Sequence, residues 1–422
     1  MNELALFGAP PIIEGTLLPY RTLGEEEIAA VTRVVKSGNL SGFIGAWCDE
    51  FYGGPEVLKF ETNWAKKFGV RYAVSVNSNT SGLIAALGAI GLSPSDEVIV
   101  PPLTMSATVM APLLYGGIPV FADVEPVFFC LDPKKVAEKI TPRTRAILAV
   151  DLFGHPAALR ELRILADTRG IYLIEDAAQA PLASEHGRYA GTVGHIGVFS
   201  LNYHKHIHAG EGGVCCTDDE RLANRLHAIR NHGENVTTKL DVGSLSNMIG
   251  FNFRFTEMAA AIGIEQLNKI EHYVDSRIAI ANQLSRALCH LPGLIVPAVR
   301  DDSRHVYYVW AARYQSDSTG VSRKRLVEAL LAEGVPLSEG YVTPLYLLPT
   351  FQKRIAIGGQ GWPFSLSNVT YERGLCPIAE QLQDSELIEF CICSYELDDE
   401  DVKRVVAAFN KVFSNLSLLR DL

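Results

Sequence analysis

Between residues 71 and 217 seven short apolar runs follow one another, at 71–77, 97–100, 118–124, 145–153, 171–176, 196–201 and 213–217. Helical periodicity fills the gap after the first run and the gaps before the fourth and fifth. Runs joined by helical crossovers pair in parallel and bury both faces under helices. The expected fold class is therefore α/β, with a mainly parallel seven-stranded sheet between helices. A dinucleotide-binding domain has the same coarse pattern, but no Gly-x-Gly-x-x-Gly follows the first run. Asn77-Ser78-Asn79-Thr80-Ser81-Gly82 stands there instead, at the start of a helix. Free N–H groups and the helix dipole favour an anion at such a place, and a plain capping motif reads the same way.

Chemistry enters at the ends of two later runs. Gly197 to Gly213 is a short strand, a polar turn holding Lys205, and a glycine-rich exit. Taken alone, Lys205 reads as a solvated loop lysine. A desolvated amine that sheds its proton, however, condenses with aldehydes. Upstream, Ile171-Tyr172-Leu173-Ile174 runs into Glu175-Asp176. Asp176 reads as a helix cap or a surface ion pair, or as a buried carboxylate that needs a cationic partner. Pyridoxal phosphate (PLP) enzymes pair an Asp with the protonated pyridine nitrogen beside their Schiff-base lysine. Parallel strands bring Asp176 and Lys205 to one crevice, and the pair is more specific than either residue.

The ordered motifs Glu175-Asp176-Ala177-Ala178-Gln179, Phe199-Ser200 and Lys205 to Gly210-Glu211-Gly212-Gly213 resemble those of the DegT/StrS-type PLP-dependent sugar aminotransferases. The resemblance runs through most of the chain. It implies a large domain of the aspartate aminotransferase (fold type I) kind, expected over residues 1–275, and beyond about Asp275 the strict alternation ends, which suits a smaller α+β domain at residues 276–422. It implies that Lys205 carries PLP and Asp176 holds the pyridine nitrogen. Ser78, Asn79, Thr80 and Ser200 would anchor the phosphate, Gln179 would bond the ring hydroxyl, and Met105 would pack on the ring. Asn252, in Gly250-Phe251-Asn252-Phe253-Arg254, would reach the phosphate of the neighbouring subunit of a homodimer. The chain departs from the family at Asn79, where a glycine is usual, at Met105, where an aromatic is usual, and at Pro181-Leu182, where His-Gly is frequent. The implied reaction moves nitrogen from glutamate or glutamine to a keto sugar, nucleotide-linked, or to a carbocyclic ketone. A PLP-dependent sugar dehydratase, in which histidine replaces the lysine, is the nearer alternative because His206 adjoins Lys205. A non-catalytic binding protein on the same fold is the more distant one.

Elsewhere helices are expected at 25–36, 55–68, 219–230, 256–273, 322–333 and 400–413, with a strand at 306–314. Ile28, Val31 and Val35 share one face of the first helix, and Gly38 caps it. Val57, Phe60 and Trp64 read as core of the second. Tyr341, Pro344 and Tyr346 read as substrate-side residues or as aromatic packing. The uncharged stretch 98–122 is long enough to span a bilayer, but four prolines and Gly116-Gly117 break it into core segments. A net charge of −10 with no long basic run argues against a nucleic-acid ligand. Eight scattered cysteines without zinc spacing, and no basic-then-apolar leader after Met1, fit reduced buried thiols in a cytoplasmic protein. His204, His206 and His208 are the densest histidine cluster, but no carboxylate or cysteine completes a metal shell at familiar spacing. They are expected to shape the pocket around Lys205.

Overall fold

The computed structural model describes residues 4–420. The seven runs become β1 (Tyr72–Val76), β2 (Glu97–Val100), β3 (Ile118–Phe121), β4 (Thr144–Val150), β5 (Tyr172–Asp176), β6 (Ile196–Ser200) and β7 (Gly213–Thr217). They form one sheet in the order β1-β7-β6-β5-β4-β2-β3. β2 to β6 pair in parallel, while β7 runs antiparallel to both β1 and β6. The reason is local: segment 201–212 contains no helix, so the chain turns straight back from β6 into β7. The carboxyl ends of β1, β5 and β6 therefore share one edge with the amino end of β7, the edge where open α/β sheets place their ligands.

Helices cover both faces. α1 is Glu25–Ser37, α2 Pro55–Phe68, α3 Asn79–Ala89, α4 Leu159–Arg169 and α5 Glu220–Arg230. Val57, Phe60 and Trp64 of α2 are fully buried, as the sequence suggests. α3 lies so close to β6 that a Cβ on Gly82 would stand 2.5 Å from Val198 Cγ1. Gly38 ends α1 in the left-handed conformation.

α1 buries a different face from the one its large apolar residues mark. Glu27, Ala30 and Val34 turn inward, whereas Ile28 and Val35 are 59% and 54% exposed. The small Ala30 packs beside Ala261 of the helix Glu257–Leu288 (α6). Glu27 is tied to the same helix through Gln266 and Lys269.

α6 is also longer than the expected 256–273. Its apolar spacing continues through Val274, Ile280, Ala281, Leu284 and Leu288. Ile264, Leu267, Ile270 and Val274 join the core around the large sheet. Ile280, Leu284 and Leu288 join a second core with α7 (Arg323–Ala332) and α8 (Asp399–Ser414). That core also holds a four-stranded antiparallel sheet, ordered β8 (Leu294–Ile295), β9 (Trp310–Tyr314), β11 (Leu387–Phe390) and β10 (Ser338–Glu339). The division expected after residue 275 thus falls inside a continuous helix. Leu4, Ile13 and Leu17 pack in the second core, so the amino-terminal stretch sits with the smaller unit.

Residues 98–122 fold as β2, a short helix at Ala107–Met110, a 3-10 turn at Ala111–Tyr115 and β3. Among the described residues no helix is long and apolar enough to cross a membrane. All eight cysteines are free. Five are buried, Cys48 and Cys391 are half-buried, and Cys289 is exposed, so burial is not general.

Candidate active site

Asp176 ends β5 on the ligand edge and is 4% exposed. Its Oδ2 accepts a hydrogen bond from Thr108 Oγ1 at 2.8 Å. Its Oδ1 accepts from Asn79 Nδ2 at 3.3 Å and Ala178 N at 3.2 Å. Burial pushes the carboxyl pKa up, and these donors, with the charge of Lys205, pull against it. Among the described residues no basic group lies within ion-pair distance of Asp176. A carboxylate so placed is fitted to a cation that enters the cavity from outside the chain.

Lys205 sits in the turn that follows β6. Its N–H bonds to the Asn202 carbonyl at 3.0 Å, and Leu201 N reaches Gly212 O at 2.8 Å, closing the turn. Asn202 Nδ2 adds a 2.8 Å bond to Glu211 across it. The Lys205 side chain is 9% exposed, and Nζ stands 4.3 Å from the centroid of the Tyr308 ring. Burial lowers the amine to about 8, with Asp176 opposing the shift. At neutral pH a useful fraction is already unprotonated, the state that attacks an aldehyde.

Ser78 caps α3 by accepting from Ser81 N at 3.1 Å. The N–H groups of the first turn are left without intrahelical acceptors and point at the cavity end. Gly213 allows this approach: a Cβ there would stand 2.7 Å from the Ser78 carbonyl carbon and 2.8 Å from Asn79 N. Ser200 ends β6, and its Oγ accepts from Asn202 N at 3.3 Å. Gln179 is anchored on both sides, its Oε1 accepting from Phe153 N at 2.6 Å and its Nε2 donating to Tyr341 Oη at 3.2 Å.

All the predicted residues except Asn252 line one cavity of about 160 Å³: Ser78, Asn79, Thr80, Met105, Asp176, Gln179, Ser200 and Lys205. A helix start for a phosphate, a buried carboxylate for a pyridinium and a desolvated amine for an aldehyde meet in it. This donor set fits PLP. Met105 is 59% exposed at the mouth, its Sδ 3.2 Å from Ala107 N. Asn252 lies outside the cavity, exposed and bridged to Asn231. Tyr341 reaches the site through Gln179, whereas Pro344 and Tyr346 are buried packing.

The three clustered histidines diverge. His204 lines the cavity, lowered to about 4 by burial and by Lys205. His206 turns into the core, where Nε2 meets the Val306 carbonyl at 2.9 Å. His208 stands beside Gln266, its N–H 3.4 Å from Oε1. Among the described residues no group of three His, Cys, Asp or Glu side chains is placed to hold a metal ion.

Thr104, Thr108, Asn202, Glu211 and Tyr308 also stand at the site, although no role at the cofactor is expected of them from the sequence. The i, i+4 spacing of Thr104 and Thr108, with hydroxyls 3.2 Å apart, was a local signal for the first two. Tyr308 carries none, because it reaches the large-sheet core from a segment a hundred residues further along the chain.

Residues 21–410 match the model of the DegT/DnrJ/EryC1/StrS aminotransferase family. The chain is 34% identical over 333 residues to dTDP-3-amino-3,4,6-trideoxy-alpha-D-glucose transaminase of Streptomyces venezuelae, covering 79% of this chain and 82% of that one. It is 32% identical over 375 residues to L-glutamine:2-deoxy-scyllo-inosose aminotransferase of Streptoalloteichus tenebrarius, covering 86% and 87%. Among solved structures it resembles GDP-4-keto-6-deoxymannose-3-dehydratase with a trapped PLP-glutamate geminal diamine, with a TM-score of 0.77 and 28% identity over 94% of this chain and 100% of the other.

Proposed function

The chain belongs to the DegT/DnrJ/EryC1/StrS aminotransferase family, and from that premise we propose that it transfers an amino group from glutamate or glutamine to a keto sugar or a carbocyclic polyol ketone. It is a PLP-dependent enzyme of fold type I. The observation that carries the residue assignment is the convergence of Lys205, Asp176 and the α3 start on one cavity.

Bound PLP supplies an electron sink for the charge left when the donor's α-carbon loses its proton. The protein's part is to place the reacting groups. Lys205 Nζ would hold the cofactor's aldehyde carbon and would take the donor's α-proton as a general base. Asp176 would keep the pyridine nitrogen protonated, and the Thr108 hydroxyl and the Asn79 amide hold that carboxylate in place. Ser78, Thr80 and Ser200 offer hydroxyls to the phosphate beside the free N–H groups of α3. Gln179, fixed by Phe153 and Tyr341, would bond the ring hydroxyl through its amide.

The dehydratase reading rested on His206. That side chain is fully buried away from the cavity and bonded to Val306 O, which favours amino transfer by Lys205. The half-reactions test the choice. Donor alone should convert the aldehyde form to the amine form and release one keto acid, and a keto sugar alone should then restore the first spectrum. Loss of water from the sugar with no nitrogen incorporated overturns the reading in favour of a dehydratase.

We infer further that the working unit is a homodimer with shared sites. Segment 40–52 and segment 231–257 are laced together by Asn231 Nδ2 to Ile44 O, Asn235 Nδ2 to Gly45 O and Glu257 N to Leu40 O. Together they expose Ile44, Trp47, Leu245 and Ile249. An apolar face of this kind suits a two-fold contact. Asn252, outside its own cavity, would then serve the neighbour's. Lys205→Ala and Asn252→Ala chains, each nearly inactive, should recover activity when refolded together. Random pairing makes about half the dimers hybrid, with roughly a quarter of all sites free of both defects. No recovery, with hybrids seen by native mass spectrometry, sinks the shared site. A reducing cytoplasm suits the eight free thiols.

A further inference from the structure

In the reading above Lys205 must remain close to the cofactor after it is displaced, and must still be able to give up its proton. Burial alone ensures neither. Among the described residues Nζ makes no hydrogen bond and no ion pair within 4 Å, so an amine on a flexible stem would swing toward the nearest anion, Asp176. What it does touch is the ring of Tyr308, with the centroid 4.3 Å from Nζ.

That ring is itself rigidly placed. Val306 N bonds to Gly154 O at 2.9 Å and Val309 N to Phe153 O at 3.3 Å, which fixes the segment against the turn after β4. A Cβ on Gly154 would stand 2.9 Å from Tyr308 N, so the two backbones are in close contact. Phe153 is the residue whose N–H anchors Gln179, so the ring-edge amide and the tyrosine share one support. The imidazoles of His204 and His206 flank the ring, each with its centroid 6.2 Å away.

We propose that Tyr308 is the positioning residue for the reactive amine: the face of its ring holds Lys205 Nζ over the cavity, off the Asp176 carboxylate, whenever the amine is free of the cofactor. This rests on Lys205 being the reactive lysine. An aromatic face attracts an ammonium through its quadrupole but offers no anion to neutralise it. A carboxylate in direct contact would hold the charge more strongly and raise the pKa out of the working range. The ring instead keeps the group in place while leaving the proton removable.

The other groups that act on Nζ come from three elements. Asp176 lies at the end of β5, and His204, His206 and Glu211 are on the lysine's own loop. Cys391 and Cys393 follow β11. Burial keeps both imidazoles and both thiols neutral at neutral pH, so Asp176 is the charge that competes with the ring for the amine.

The test uses full-length protein stripped of cofactor. When PLP is added, the Nζ lone pair attacks the aldehyde carbon and water leaves, and visible absorbance follows the rate. Its pH midpoint reports the free amine, near 8 in the wild type. Tyr308→Phe keeps the ring and should leave the midpoint in place. Phenylalanines bearing one, two and three ring fluorines at position 308 keep the shape but progressively weaken the face. They should lower the midpoint stepwise, by about one unit in all, because the charged form loses its support. Tyr308→Leu should show the same drop. The fluorinated series remains decisive even where the leucine variant misfolds, since it leaves packing intact. An unmoved midpoint across the series, with borohydride fixing the cofactor on Lys205, overturns the role of Tyr308 alone. Fixation on a different lysine overturns the Lys205 reading and this proposal with it.

Discussion

Lys205→Ala should give a folded protein whose turnover is lower by at least about four orders of magnitude, since one residue supplies both covalent attachment and proton transfer. The fold should survive because, among the described residues, Nζ carries no hydrogen bond or ion pair on which other elements depend, and it rests against one aromatic face. Removing it also removes a disfavoured buried charge. Lys205's amine is lowered in the folded state, so the wild type is most stable above the unfolded value and loses stability as pH falls toward about 8. The alanine variant lacks that loss and should gain thermal midpoint relative to wild type at neutral pH in the cofactor-free form. PLP should still occupy the cavity through the α3 start and Asp176, but borohydride should no longer attach it to the chain. Peptide mapping of the reduced wild type decides the assignment, and a label on any other lysine removes it.

The second large effect is expected at Asp176. Asp176→Asn preserves shape and most partners: Asn79 Nδ2 and Ala178 N can still donate to the amide oxygen. Thr108 Oγ1 can reverse its role and accept from the new NH₂ group. What disappears is the negative charge that keeps the pyridine nitrogen protonated. Turnover should fall by about two orders of magnitude or more, because the electron sink is weakened at every proton transfer. Stability should move the other way in the cofactor-free protein. The Asp176 carboxyl is raised in the folded state, so its stability contribution is intact at low pH and lost as pH rises through its unfolded value. The amide variant should therefore be the more stable of the two at neutral pH, with the difference closing as pH falls below about 4. Near-normal turnover in this variant places the pyridine partner elsewhere. A thermal midpoint below that of wild type at pH 7 contradicts the burial cost assigned to the carboxylate.

Both variants address groups that local sequence already marked. The seven strands were legible because each apolar run ends where polar or glycine-rich turns begin, and β2 and β7 match the expected bounds residue for residue. Lys205, Asp176, Gln179 and Ser200 were legible for a related reason: each lies at or just beyond the end of such a run, and parallel pairing brings those ends to one edge. The capped start of α3 was written in Ser78 and Ser81.

Other features were decided only by packing. The buried face of α1 could not be read from Ile28, Val31 and Val35, because a close helix–helix contact selects the small Ala30 and leaves the large residues outward. The length of α6 depends on a second core that its latter half helps to build. His206 looked like a neighbour of the reactive amine, yet one residue's step along a tight turn sends its ring into the core while Lys205 faces the cavity. Periodicity and motif order depend on local backbone preference and burial, which the chain carries residue by residue. The contacts that hold the reactive groups do not. Thr108 meets Asp176 and Tyr308 meets Lys205 because separate elements close on the same sheet edge, and side chains so distant in sequence are brought together by the tertiary fold alone.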